Sequence, residues 1–167
     1  MLRILIRIAV VVVLVVALVT AIGYALPQDH VASMTRQVPM PPPAVFARIT
    51  DVERYPDWRK DVERVEVMSR TPLKWREVSG GDTITFEIVE SAPDRRVVSR
   101  IADPDLPFGG SWTYELQPDG TGTRVTITER GEVYNPIFRF LSRFVFGHTA
   151  TMEKVLDALA PGPSSGS

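Results

Sequence analysis

Residues 135–160 constrain the fold more than any other stretch of this 167-residue chain. Asn135 followed by Pro136 has the chemistry of an N-cap and a first-turn proline, whose missing N–H falls where a helix leaves donors unpaired anyway. From there Ile137, Leu141, Phe144, Val145, His148, Met152, Val155, Leu156 and Leu159 recur at steps of three and four. At roughly 100° per residue these share one face, while Arg139, Ser142, Arg143, Glu153, Lys154 and Asp157 fall opposite. Pro161, Gly162 and Pro163 stop the pattern. The spacing predicts one helix of about 26 residues, ~39 Å long at ~1.5 Å per residue. Such a stripe needs a broad partner surface.

The middle of the chain supplies that surface as strands. A first strand is expected over 31–38, stopped by Pro39, Pro41, Pro42 and Pro43. Residues 44–51 read as a short helix with Val45, Phe46 and Ile49 on one side, and Pro56 marks a second short helical piece. The period then changes to two, predicting strands over 62–69, 74–78, 82–90, 95–102, 111–117 and 123–133. Gly80-Gly81, Pro93-Asp94 and Pro118-Asp119-Gly120 punctuate them as turns. Consecutive strands with short turns pair antiparallel. The expected class is therefore α+β, a curved antiparallel sheet of about seven strands wrapped around the C-terminal helix.

Residues 8–26 carry no charge and are mostly Val, Leu, Ile and Ala. A run of this length spans a hydrocarbon core of ~30 Å. Arg3 and Arg7 precede it, so the positive-inside tendency keeps the N-terminus cytoplasmic and sends the rest of the chain across the cell membrane. The rival reading is a cleaved signal peptide with Gly23-Tyr24-Ala25 as a small-x-small site. Either way the domain lies outside the cytoplasm. The chain divides into an anchor or signal segment over 1–26, a linker over 27–30, a domain over 31–160 and a flexible tail over 161–167.

Lys and Arg number 19 and Asp and Glu 20; without Arg3 and Arg7, 17 basic residues face 20 acidic ones. That lacks the basic face a nucleic-acid partner requires. The chain has no cysteine, which removes disulfides, thiolate nucleophiles and Cys-based metal sites, and only His30 and His148 offer imidazole. Neither a metal centre nor a cofactor is expected, and no nucleophile-elbow, zinc-protease, phosphate-loop or dinucleotide motif occurs.

Val45-Phe46 with Asp51-Val52-Glu53-Arg54-Tyr55-Pro56-Asp57-Trp58, then Gly109-Gly110-Ser111-Trp112-Thr113-Tyr114-Glu115-Leu116 and Gly122-Thr123-Arg124-Val125-Thr126, carry a family resemblance. The chain resembles the polyketide cyclase/dehydrase branch of the SRPBCC superfamily, the START-like group that includes the major birch-pollen allergen. The resemblance covers roughly 31–160 and implies the helix-grip fold. It also implies an apolar pocket between sheet and long helix, used by different members for lipids, hormones, polyketides or quinones. It brings no universal catalytic motif, and the N-terminal apolar segment is an addition to the basic domain.

The candidate site residues follow from these patterns. Trp58, Trp75, Phe86, Trp112, Tyr114 and Phe144 are large apolar groups suited to line such a pocket, against plain core packing for each alone. Phe108, between Pro107 and Gly109, is expected in a loop at the cavity mouth. His148 falls mid-stripe, as a general base, as a holder of a ligand's polar head, or as an ordinary core histidine. Glu87, Arg100 and Glu129 are strand residues; on the inner face they must pair, and on the outer face they are solvated. A one-residue slip of register exchanges those outcomes. The expected function is membrane-anchored binding of a hydrophobic small molecule, a lipid, isoprenoid or polyketide. The alternatives are a cyclase or dehydratase using His148 or Glu129 as acid/base, and a protein-interaction domain with a filled pocket.

Overall fold

The structure, a computed structural model, describes residues 1–146 and 149–160, the side chains of Val145 and Phe146 excepted. His148 and the 161–167 tail thus lie outside the described residues. The order is α1 (Leu2–Ala25), β1 (Asp29–Val38), α2 (Pro42–Thr50), a 3-10 turn (Val52–Arg54), α3 (Tyr55–Trp58), then β2 (Arg64–Arg70), β3 (Leu73–Ser79), β4 (Asp82–Ala92), β5 (Arg96–Ile101), β6 (Phe108–Asp119) and β7 (Gly122–Val133). The chain closes with α4 (Pro136–Leu141), a π turn (Ser142–Phe146) and α5 (Ala150–Leu159).

The expected α+β architecture is present. Seven strands form one sheet in the order β1-β7-β6-β5-β4-β3-β2, every neighbour antiparallel. Strands β2 to β7 meander, and β1 returns to pair with β7, so the first and last strands of the domain are partners. Register shifts between Val67 and Ser69 and between Ile88 and Glu90 add local twist and help the sheet curl. On its concave face Val38, Val97, Leu116, Val125 and Ile127 meet Met152, Val155, Leu156 and Leu159 of α5 and Val45 and Ile49 of α2. The four α5 side chains are no more than 2% exposed, and each such burial contributes about 1.5–3 kcal/mol. Arg36 of β1 and Asp157 of α5 form an ion pair across that contact.

The C-terminal stretch differs from the single long helix its periodicity predicts. It begins as expected, with Asn135 Oδ1 accepting from the backbone N–H of Ile137 at 2.9 Å and of Phe138 at 3.3 Å. After Leu141 it widens into the π turn, and only α5 resumes the α geometry. The physical reason lies in the sequence: Phe144, Val145, Phe146 and Gly147 are successive weak helix formers. Ile137 and Phe144, in the first half of the apolar stripe, are accordingly 38% and 61% exposed rather than buried on the sheet.

The partner of α4 is α1. A Cβ at Gly23 would overlap the carbonyl of Pro136, so only glycine permits that approach. Arg139 ties the junction, donating from Nε to the Val133 carbonyl at 2.7 Å and from Nη2 to the Tyr134 carbonyl at 3.0 Å and Gln28 Oε1 at 3.4 Å. Helix α1 is 24 residues long, with a mean hydropathy of 3.0 in its most apolar window and none of that window buried. It is long and apolar enough to cross a membrane. Phe108 also departs from expectation: it opens β6, paired opposite Val133, rather than sitting in a loop.

Candidate functional site

Packing of α5 fills one part of the concave face, and the retreat of α4 toward α1 leaves the other part hollow. A cavity of about 450 Å³ lies there, between β3–β7, the end of α3 and the C-terminal segment. Register decides its walls. Trp112 stands opposite Ser99 of β5 and Glu129 of β7, and Tyr114 opposite Val97 and Ile127, so all of these face inward together. On β3 and β4, Trp75 and Phe86 are direct partners and stack at 5.5 Å with their planes 24° apart. Trp112 and Tyr114 are 6.2 Å apart on the same face of β6.

The closed end of the cavity is polar. Pro56 within α3 leaves Tyr55 buried, its hydroxyl donating to the Ile49 carbonyl at 2.7 Å. The next turn ends at Arg59, whose extended backbone (φ −101°, ψ 102°) carries its side chain under the sheet. There Nη2 donates to Glu77 Oε1 at 2.9 Å and to Asp61 Oδ2 at 2.7 Å, and Nη1 to Glu77 Oε2 at 3.2 Å. The guanidinium lies over the Tyr55 ring at 5.1 Å. Arg59 and Glu77 side chains are 10% and 8% exposed, so each depends on the other for its solvation.

The electrostatics follow from that burial. Burial works against the Arg59 charge, but Glu77 and Asp61 outweigh it and hold the guanidinium protonated. Burial pushes the Glu77 carboxyl above its usual range, with Arg59 pulling back only partly. Asp61 is held below that range, because the hydrogen bond and charge of Arg59 overcome its lesser burial. Burial raises the Tyr114 and Tyr55 hydroxyls, which stay neutral.

The open side is built differently. His30 at the start of β1 and Glu129 of β7 meet at 3.2 Å, about one fifth exposed each. Gly131 allows the His30 ring to lie across β7, where a Cβ would overlap it. Exposed Arg130, Glu132 and Phe138, with Ser142, Ala150 and Thr151, complete the rim.

The structure thus brings Trp75, Phe86, Trp112, Tyr114 and Glu129 together on the cavity wall. Trp58 instead packs between the two core clusters, edge-on to Tyr55 at 5.4 Å, with the Arg48 guanidinium over its ring at 5.0 Å. Arg100 lies on the convex face, 58% exposed and paired with Glu87 directly opposite. Phe144 is mostly exposed and leans on Phe140 at 4.9 Å. Sequence reasoning passed over Arg59, Asp61, Glu77 and His30. For Glu77 the signal was present: if Trp75 faces inward, the residue two further along β3 does too. Among the described residues no group of three His, Asp or Glu is placed to hold a metal ion.

A curved seven-stranded sheet clasping a C-terminal helix around an internal hollow defines a helix-grip, START-like protein. The chain belongs to the family described as polyketide cyclase / dehydrase and lipid transport, whose profile matches residues 29–161. It is therefore a member of the polyketide cyclase-like branch of the SRPBCC superfamily.

Solved structures agree on the fold. The Thermus thermophilus protein TTHA0849 is 27% identical with a TM-score of 0.62, covering 78% of this chain and 91% of its own. A START superfamily protein from Mycobacterium smegmatis is 19% identical with a TM-score of 0.63, covering 78% and 94%. The Zhui aromatase/cyclase from a Streptomyces species is 17% identical with a TM-score of 0.64, covering 78% and 91%. No curated protein matches the chain significantly.

Proposed function

We propose that this protein is a membrane-anchored domain that binds a hydrophobic small molecule, a lipid, isoprenoid or polyketide-like compound, in the cavity between sheet and C-terminal segment. The observation that carries this reading is the hollow of about 450 Å³ walled by Trp75, Phe86, Trp112 and Tyr114. Its size and the aromatic side chains on its wall suit a small ligand. Its position supports a membrane source. His30 on the rim is five residues beyond Ala25, the last residue of α1, so the rim stands within ~17 Å of the helix end. An apolar molecule leaving a bilayer there avoids most of the cost of crossing water. With Arg3 and Arg7 held in the cytoplasm, the domain stands on the extracytoplasmic face.

The test is extraction and mass spectrometry of small molecules from the full chain purified from its own membranes. An apolar compound should accompany the wild type and be lost from Ser99→Phe, which fills the hollow opposite Trp112. No bound compound in the wild type, or equal amounts in both, refutes the reading.

One observation favours a second reading. His30 and Glu129 form a titratable pair at the rim, the arrangement an acid/base step requires. In a cyclase or dehydratase, Glu129→Gln abolishes turnover of a polyketide-like substrate and leaves its binding intact. In a binding protein it changes affinity only modestly.

A further inference from the structure

Resting on the membrane-anchored reading above, we infer that α4 and the π turn after it form a second membrane contact. They lie in the extracytoplasmic leaflet beside α1, so that the cavity mouth opens onto lipid. The first observation is where α4 touches α1. Residues 2–18 are exposed throughout, and burial on this helix and its cap is confined to Val19, Thr20, Ile22, Gly23 and Leu26, one stripe at steps of three and four. Helix α4 is the element packed there, with Pro136 against Gly23. The burial reaches back to Val19, about 9 Å before Ala25 at ~1.5 Å per residue, so α4 runs from the end of α1 back along its apolar span. Half of a ~30 Å hydrocarbon core is ~15 Å, which places α4 within one leaflet when α1 crosses the bilayer.

The second is the chemistry of the segment. No acidic residue occurs between Glu132 and Glu153, and Ile137, Phe138 and Phe144 turn large apolar surface outward. Water disfavours such a patch, and lipid tails accept it. The one charge on α4 does not oppose this. Arg139 folds back toward the domain, its Nε and Nη2 donating to the carbonyls of Val133 and Tyr134, the kind of pairing that lets an arginine sit at membrane depth. The exposed flank of α1 continues the same apolar surface, so a protein partner would have to cover the membrane helix as well.

The third is a water boundary at the base of α4. Tyr24 and Tyr134 are both exposed and flank the crossing of Gly23 and Pro136. Tyrosine favours the headgroup level, where its ring meets tails and its hydroxyl meets water. The Tyr134 hydroxyl donates to Glu132 Oε2 at 2.8 Å, which marks the polar side of that boundary. The cavity is affected directly, because Phe138 of α4 and Ser142 of the π turn line its rim. An apolar ligand then passes between leaflet and hollow without crossing water.

The chain has no cysteine, so a nitroxide can be attached at single sites of the full chain, held as one copy per phosphatidylcholine nanodisc. The sites are Val13→Cys in α1, Ile137→Cys and Phe144→Cys in the segment at issue, and Thr121→Cys in the turn at the far end of β7. Spin relaxation by oxygen, which concentrates in lipid, is compared with relaxation by a water-soluble nickel chelate. Oxygen should dominate at 13, 137 and 144, and nickel at 121. Phe144 is already exposed, so its label does not put folding at risk if Ile137→Cys fails to fold. Nickel dominating at 137 or 144 while oxygen dominates at 13 overturns the inference and leaves the anchor standing. Shielding of 137 and 144 from both reagents means that the chain itself covers the patch, and also overturns it. Nickel dominating at 13 overturns the membrane-anchored reading and the inference together.

Discussion

The two halves of residues 135–160 began as one periodic pattern and met the same sheet with opposite results. Segment α5 buries Met152, Val155, Leu156 and Leu159 to within 2% of full enclosure. Segment α4 and the π turn leave Ile137, Phe138 and Phe144 between 38% and 61% exposed, lean on α1, and roof a hollow. Apolar periodicity therefore sets which residues share a face, whereas helix continuity sets whether that face reaches its partner. The described part of the first half leaves its apolar groups exposed beside the hollow.

Substitutions can break or sharpen that contrast. The largest effect belongs to the filled half. Leu156→Ala should cost about 3–5 kcal/mol in chemical denaturation, since the site is fully enclosed by sheet and α2. Phe144→Ala in the other half should cost less than ~1 kcal/mol. Equal costs would mean that the two halves pack alike after all.

Next comes the polar end of the hollow. Glu77→Ala should cost about 3 kcal/mol by opening a buried pair and leaving the Arg59 guanidinium to Asp61. Glu129→Ala at the rim should cost under ~1 kcal/mol, because both partners there reach water. A Glu77→Ala protein as stable as wild type would show that Asp61 alone suffices to hold Arg59.

The pH dependence should divide the same way, with a smaller amplitude. Asp61 is held low in the folded state, so its contribution is present above the ordinary carboxylate range and is lost as pH falls through the folded-state value. Asp61→Asn should therefore compare better with wild type as the solution is acidified below ~4. Glu77 is raised, so its contribution is present below the ordinary range and is lost as pH rises through the folded-state value. Glu77→Gln should gain on wild type as pH increases. Parallel slopes for the two variants in a denaturation series would contradict this assignment of charges.

The smallest effect is expected at the α1 junction. Gly23→Val should push α1 away from Pro136 yet change domain stability by less than ~0.5 kcal/mol, measured by denaturation alongside spin-label distances between the two helices. A large loss would mean that α1 belongs to the domain's own core.

Much of this molecule was legible in the chain. The strand positions followed from period-two runs and from turns such as Gly80-Gly81 and Pro118-Asp119-Gly120, because glycine readily takes the positive φ a tight turn needs, as Gly80, Gly81 and Gly120 do here. The pairing of β1 with β7 was less accessible, since nothing local in Val31 or Met34 encodes a partner some 90 residues away. The site was legible in its aromatic half and hidden in its polar half. Glu87 and Glu129 look alike in sequence, yet one lies on the outer face of the sheet opposite Arg100 and the other on the inner face opposite Trp112, a distinction made only by register. Arg59 was harder still, because its direction depends on how α3 ends rather than on any period.

The connection between α1 and β1 consists of Leu26, Pro27 and Gln28, and Gln28 is itself held, its carbonyl accepting from the Val133 amide at 2.9 Å. With α1 in a bilayer, so short a leash gives the domain almost no freedom to wander. On the proposed reading, a membrane-bound donor or acceptor of the ligand is then met by lateral diffusion, and encounter rates scale with density per unit area rather than with bulk concentration. So anchored, the proposed binding domain searches a plane instead of a volume.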